Sequence, residues 1–503
     1  MNKILIKCLK SFGLIASLGT GFLIYQFLNI YLNRRKYRHI PGPKTKGIVE
    51  YFFGNISDIE KAVKDGKVLT DLFVEWHEKY GEVFKYQLST DIIVVTSNQQ
   101  AIKECLVVKN YPKVKPFAAY PLGERFLGHG LVTELDNNVW KHRRTMFNPG
   151  FHRKVLMTFV LQFNTKANVL LEKLELLSQS NKPITLFAEI NHATLDAIAN
   201  IAFDMNIDSI NNQEIKFNLY INNILIAVNK YFQNPLEKFK PINITEKQDI
   251  KKMIRYLRQV GKEKINQRIK AFKNGENLPN DILTAILNNS KEDYFDLEVM
   301  IDDFITFFIA GQETTANTLA FCFLELGKNP NIIAKIEEEI DRVLGEKTEI
   351  TFEEINELKY CSAVFKESLR LWPPVPRITR KCLDEMEING LKIPANSIMN
   401  LSTYLNSRLE KYFENPLEFK PERFIKDKSL EQSQISNYSY FPFSLGPRNC
   451  IGLNFAQIEG IVMIAKILQR FEFELDPNQS MQIEQALTLR PKDGTKCFLK
   501  LKP

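Results

Sequence analysis

Charge is absent from residues 11–32, a run of 22 mostly apolar positions. A helix of that length reaches roughly 33 Å, against a hydrocarbon core of about 30 Å. The run passes directly into Arg34, Arg35, Lys36 and Arg38, with no small-residue cleavage site. It therefore predicts a retained membrane anchor over residues 1–33 rather than a signal peptide. Lys3, Lys7 and Lys10 precede it, so the charge rule favours a cytosolic C-terminal side only slightly. Pro41-Gly42-Pro43 cannot continue a helix, which makes 34–46 a basic, proline-containing hinge.

Residues 47–503 contain no repeat or low-complexity block that separates domains. Short β-type runs stand at 83–88 and 92–96, and helical periods dominate from about residue 140 to 371. Residues 274–280, with Gly275 and Pro279, read as a surface loop. Prolines crowd the stretch from Pro373 to Pro447. A helix is expected at 452–469 and a strand at 471–475. The pattern predicts a mainly α single large domain with a minor β portion, behind the N-terminal transmembrane anchor.

The segment 297–326 keeps a helical pattern for about 30 residues, or roughly 45 Å. Phe304, Ile305, Phe307, Phe308 and Ile309 make it apolar all round, as in a helix buried through the core. Its middle reads Ala310-Gly311-Gln312-Glu313-Thr314-Thr315. A glycine inside a helix costs about 1 kcal/mol relative to alanine, and a buried carboxylate costs more. The segment predicts a local widening of the helix, lined by an acid and a hydroxyl.

Composition changes the picture only by exclusion. With 44% hydrophobic and 25% charged residues, the chain is neither disordered nor collagen-like nor a multi-span membrane protein. A net charge of +8 spread over 503 residues gives no nucleic-acid footprint. The seven cysteines are widely spaced and form no CxxC, and the six histidines form no HExxH. A disulfide framework and a zinc module are both excluded as readings. No P-loop, GxSxG elbow or strand-borne GxGxxG is present, so a dinucleotide is not expected to bind this chain.

The strongest chemical signal is Phe443-Ser444-Leu445-Gly446-Pro447-Arg448-Asn449-Cys450-Ile451-Gly452. A cysteine between glycines, just before a helix, has its thiolate favoured by the helix N-terminus and backbone N–H groups. The glycines permit close approach of a large flat ligand, and Arg448 offers a fixed cation for a carboxylate. The stretch is similar to the pattern Phe-x-x-Gly-x-Arg-x-Cys-x-Gly of the cytochrome P450 family, which binds haem through a cysteine thiolate.

That resemblance implies roles at other positions. Cys450 would be the axial ligand of the haem iron, with Phe443 beside it. Trp140 and Arg144 match the family's Trp-x-x-x-Arg, and Arg380 a further propionate contact. Arg144, Arg380 and Arg448 together would meet the two propionates. Glu367 and Arg370 match the family's Glu-x-x-Arg, with Arg423 as third member of a structural trio. Glu313 and Thr314 match its oxygen-activation motif, the acid relaying protons and the hydroxyl bonding to oxygen or its water.

Several stretches are most similar, within the family, to cholesterol 24-hydroxylase and its relatives. They are 37–43, 307–317, 441–446 and 468–473, although that branch has His where this chain has Gln312. The resemblance implies a haem b monooxygenase that consumes O2. Its electrons would come from NADPH through a separate reductase, with cytochrome b5 as a further partner and no nucleic acid. The implied place is the endoplasmic reticulum membrane, catalytic side cytosolic. The main expectation is hydroxylation of a sterol side chain, and the alternative is a fatty acid or xenobiotic. An O2-independent isomerase or dehydratase and a non-catalytic haem-binding protein stand further off. Phe304, Phe308, Ala310, Thr314, 375–379, 111–131 and 486–489 are expected to line the pocket.

Overall fold

Asp296 opens the long helix, its carboxylate accepting from the Glu298 and Val299 backbone N–H groups. Such a cap satisfies donors that a helix start otherwise leaves unpaired. The helix then runs Leu297–Lys328, two residues past the expected end, with nearly every side chain buried. It belongs to a computed structural model that describes residues 21, 24–114, 119–233, 243–289, 296–425, 435–485 and 487–503. The predicted anchor at 11–32 lies largely outside the described residues. Among those described, no helix is long and apolar enough to cross a membrane.

The fold is mainly helical with small sheets, and the chain forms two compact units. One comprises residues 1–111 and 377–405, the other 112–376 and 406–503. The first holds a four-stranded sheet in the order Val83–Leu88, Asp91–Thr96, Ser397–Leu401, Ile378–Cys382. The first pair is an antiparallel hairpin with Val83 opposite Thr96. The middle pair is parallel, with Ile93 opposite Ile398. Helix Leu69–Tyr80 covers the hairpin with Phe73 and Trp76, whose rings pack on Phe84 and Tyr86. The basic stretch 34–41 is docked on this unit. Arg34 Nε donates to Gln87 Oε1 at 2.9 Å, Tyr37 and Ser397 share a hydroxyl bond at 2.9 Å, and the Pro41 carbonyl accepts from Lys85 N at 2.8 Å.

In the second unit the long helix is the axis. Helices Leu186–Phe203, Ile244–Lys273, Lys359–Leu371 and Leu453–Arg470 pack around it. The widening expected at 310–315 is absent: the helix is continuous there. Gly311 answers to packing instead. A Cβ on it would lie 2.9 Å from Ile198 Cγ1, so glycine lets the neighbouring helix come close. Phe304 and Phe308, expected at the pocket, are 1% and 0% exposed and pack on Phe203 and Phe217 in the core. Phe304 and Phe308 share one face, whose centre lies roughly 120° round the helix from that of Ala310 and Thr314, so they meet the core rather than the open strip.

Gly460 marks a second close approach, where a Cβ would lie 2.3 Å from Phe365 Cε2. Gly460→Ala is expected to destabilise the protein by about 1–3 kcal/mol through overpacking. Urea denaturation checks this, and an unchanged midpoint would mean the two helices can part without cost.

Candidate functional site

The loop that carries Cys450 is built from tight turns. Ser444 and Gly446 take left-handed φ values of 63° and 71°, a region cheap for glycine and costly for serine. The turns are closed by backbone bonds. Ser444 N donates to Phe441 O at 2.9 Å, Asn449 N to Gly446 O at 3.1 Å, and Cys450 N to Phe443 O at 2.8 Å. The chain then enters helix Leu453–Arg470. Cys450 is the one accessible cysteine among the six described, the other five being buried. Its thiol faces an opening yet is surrounded by protein. Desolvation pushes its pKa up, while the Gly452 N–H and the charges of Arg144 and Lys113 pull it down.

Helix Asn137–Phe147, capped by Asp136, presents Trp140, Arg143 and Arg144. Trp140 is 3% exposed and has two guanidinium groups close to its ring. Arg448 Cζ sits 4.5 Å and Arg144 Cζ 5.9 Å from its ring centre, a cation–π arrangement. Arg144 donates through Nη1 to Asn449 O at 2.7 Å and through Nη2 to Asn449 Oδ1 at 3.1 Å. That ties the helix to the cysteine loop, a link that Asn449 supplies and the sequence reading missed. Arg448 donates to Glu134 O at 2.7 Å and to Asn137 Oδ1 at 3.0 Å. Burial lowers its pKa to about 10, against the opposing pull of Glu134 and Asp136. Its Nη2 is buried with no hydrogen-bond partner among the described residues.

The long helix contributes a narrow open strip. Between Ile301 and Leu326, almost wholly buried, Ala310 is exposed and Gly311 and Thr314 are half-buried. Ala310 and Thr314 are four apart and share a face. Thr314 Oγ1 donates to Ala310 O at 2.7 Å. Glu313 points elsewhere: its Oε1 accepts from Thr488 Oγ1 at 2.7 Å, while Oε2 is buried without a partner among the described residues. Desolvation raises its pKa, with Thr488 and Arg490 acting against the rise. Glu313 and Gln312 line a cavity of about 350 Å³ together with His192, Asn222, Glu484 and Arg490. Thr488 belongs to the expected pocket stretch 486–489, but its bond to Glu313 is visible only in the fold.

Glu367 and Arg370 are both fully buried and doubly bonded, Nε to Oε2 at 2.7 Å and Nη2 to Oε1 at 2.8 Å. Arg370 also donates to the carbonyls of Ser407 and Pro416, each at 2.7 Å, and of Glu418 at 3.0 Å. Arg423 reaches Glu367 Oε1 at 3.4 Å. The trio thus gathers the chain from Ser407 to Arg423 onto helix Lys359–Leu371. Arg380 lies in the other unit, buried on strand Ile378–Cys382 opposite Met399.

The residues fit a haem. A thiol is held open by a closed turn, a buried cation has an unsatisfied donor suited to a carboxylate, and a buried helix opens one strip of small side chains. The comparisons agree. The family model described as Cytochrome P450 matches residues 43–498. The chain is similar to Cytochrome P450 4d2 of Drosophila melanogaster, 30% identical over 502 residues, covering 95% of this chain and 96% of the relative. It is 28% identical over 448 residues to Cytochrome P450 3A5 of Homo sapiens, covering 84% and 87%. Cytochrome P450 3A1 of Rattus norvegicus is 28% identical over 475 residues, covering 90% and 88%. None of these three carries the cholesterol 24-hydroxylase name to which the four short stretches pointed.

Proposed function

The chain belongs to the cytochrome P450 family and is a monooxygenase, and on that premise we propose that it hydroxylates an apolar fatty acid or xenobiotic. Electrons come from NADPH through a separate reductase. The catalytic body sits on the cytosolic face of the endoplasmic reticulum membrane, behind the 22-residue uncharged run. The observation that carries the reading is an accessible Cys450 together with a long helix that is buried except where Ala310, Gly311 and Thr314 stay accessible. An apolar substrate is supported by side chains that stay accessible on segments expected to line its pocket, Tyr120 at 40% and Val375 at 42%. The 4d2 and 3A5 relatives are not named for a sterol, which leaves the fatty acid or xenobiotic as the first reading. The stretches 307–317 and 468–473 keep the sterol side chain as a second reading.

When bound, the haem supplies the redox chemistry that splits O2, placing one atom in a C–H bond and releasing the other as water. Cys450 would hold the iron, and the closed turn around it keeps the sulfur in place. Arg448 and Arg144, both packed against Trp140, would meet the propionates. Thr314 turns its hydroxyl from Ala310 O toward the open strip. Glu313, with its pKa raised by burial, holds a proton further up the pH scale than a free glutamate and passes it on by turning from Thr488.

Thr314→Ala and Glu313→Gln are expected to lower product turnover by roughly 10²-fold at unchanged haem content. NADPH consumption should continue, with peroxide released instead of product. Variants that stay fully coupled would remove both residues from proton delivery. The substrate is tested by giving the full chain, a cytochrome reductase and NADPH a mixture of long-chain fatty acids, a xenobiotic and cholesterol, read by mass spectrometry. A hydroxylated sterol with the others untouched would overturn the substrate reading, and absence of reductase-dependent O2 uptake would overturn the reaction.

A further inference from the structure

Two adjacent aspartates near the start of the long helix are buried, Asp302 at 0% and Asp303 at 3% exposure. Their bonds converge on one short segment. Asp302 accepts from His129 N at 2.8 Å and Asp303 from Leu131 N at 2.6 Å. Arginines neutralise them. Arg125 Nη2 reaches Asp302 Oδ2 at 2.7 Å, and Arg258 Nη1 reaches its Oδ1 at 2.6 Å. Arg143 donates to Asp303 and also to the His129 carbonyl. The segment is shaped to be held this way. Gly128 has φ 44°, and a Cβ on it would lie 2.2 Å from Asp302 Oδ2.

The segment is knotted internally and ends at the cofactor side. Thr133 Oγ1 donates to the carbonyls of Leu127 and Gly128, and the Thr133 and Glu134 N–H groups both donate to Gly130 O at 2.9 Å. The next carbonyl, of Glu134, receives Arg448 Nη1. A second arm closes the figure, because Arg143 shares a helix with Trp140 and Arg144. Both arms therefore run from the aspartates to the guanidinium groups packed against Trp140.

We propose that Asp302 and Asp303 are positioning residues for the haem: they set the place of Arg448 and of the Trp140–Arg144 helix, and through them the grip on the propionates. The proposal rests on the haem reading above. An ordinary structural staple would end in the core; this one ends on Arg448, two residues from Cys450.

The test uses the full-length holoprotein and the variants Asp302→Asn, Asp303→Asn and the charge-free pair Arg143→Gln with Asp303→Asn. Glu339→Gln is the control, since Glu339 is a buried carboxylate that accepts from the Tyr360 and Cys361 N–H groups at 2.8–2.9 Å and pairs with Arg342 at 3.9 Å, away from Trp140 and Arg448 in its bonding. Haem loss to excess apomyoglobin should be roughly 10-fold faster in the aspartate variants, as for residues that orient a ligand shell. Their ferric–ferrous midpoint should move to more negative values, because propionate charge left less compensated favours the ferric form. The control should lower thermal stability while leaving haem loss and midpoint unchanged. The double variant keeps the test valid if a single aspartate variant does not fold. Aspartate variants that lose stability like the control, with haem loss and midpoint unmoved, overturn the proposal. A wild-type chain that takes up no haem overturns the haem reading itself, and the two failures are told apart by the wild type alone.

Discussion

Cys450→Ala is expected to yield a folded chain that takes up no haem. The two halves of that outcome have separate causes. The turn around residue 450 is closed by backbone atoms, from Cys450 N to Phe443 O and from Asn449 N to Gly446 O, and alanine keeps all of them. The sulfur itself is accessible, so little packing is lost, and the stability change should stay within about 0.5 kcal/mol. The ligand is lost outright, since alanine offers the iron nothing. Among the described residues no group of three His, Cys, Asp or Glu side chains could hold a metal in its place. The measurements are haem content by pyridine haemochrome and the carbon-monoxide difference spectrum, beside thermal unfolding. A variant that keeps a full haem-thiolate spectrum would refute the role of Cys450.

Arg370→Ala should damage folding more than any other substitution considered. The side chain makes two bonds to Glu367 and three to the carbonyls of Ser407, Pro416 and Glu418, all at 3.0 Å or less. Both ionic partners are fully buried. Removing one partner of a buried pair leaves the other charge uncompensated, at a cost of about 3–5 kcal/mol. Total stabilities are about 5–15 kcal/mol, so the loss is a large share. Arg370→Lys should not rescue it, because one ammonium cannot span five acceptors in a plane. Yield of holoprotein and the guanidinium midpoint are the readouts. A variant that unfolds at the parent's midpoint would show the pair to be dispensable.

Much of this was legible in the chain. Cys450, Arg448, Trp140 and Glu367-x-x-Arg370 are set by short local spacings, and local spacing is what a sequence displays. The long helix was legible for the same reason, down to its start at Leu297. What escaped depends on contacts between distant segments. Gly311 looked like part of a local widening of the helix; its neighbour Ile198 makes it a packing site. Phe304 and Phe308 looked like pocket residues, yet Phe203 and Phe217 claim them for the core. Thr488 reaches Glu313, and Asp303 reaches Leu131, across separations of more than 170 residues that no pattern encodes. The substrate was the least legible, because the stretches that suggested a sterol lie largely on the haem-bearing helices and loops that every member of the family must build.

The parallel pairing of strand Asp91–Thr96 with Ser397–Leu401 also has a consequence in time. A ribosome adds about 5–20 residues per second. The hairpin is finished early, but its inner partner arrives about 300 residues later, after a wait of roughly 15–60 s at those rates. Through that interval the apolar strand Ile92–Val95 presents an unpaired edge, the kind of surface that recruits other chains. Synthesis of this protein therefore depends on something sheltering that edge, and conditions that slow the ribosome over residues 100–400 should lower its yield without touching a single contact of the finished fold.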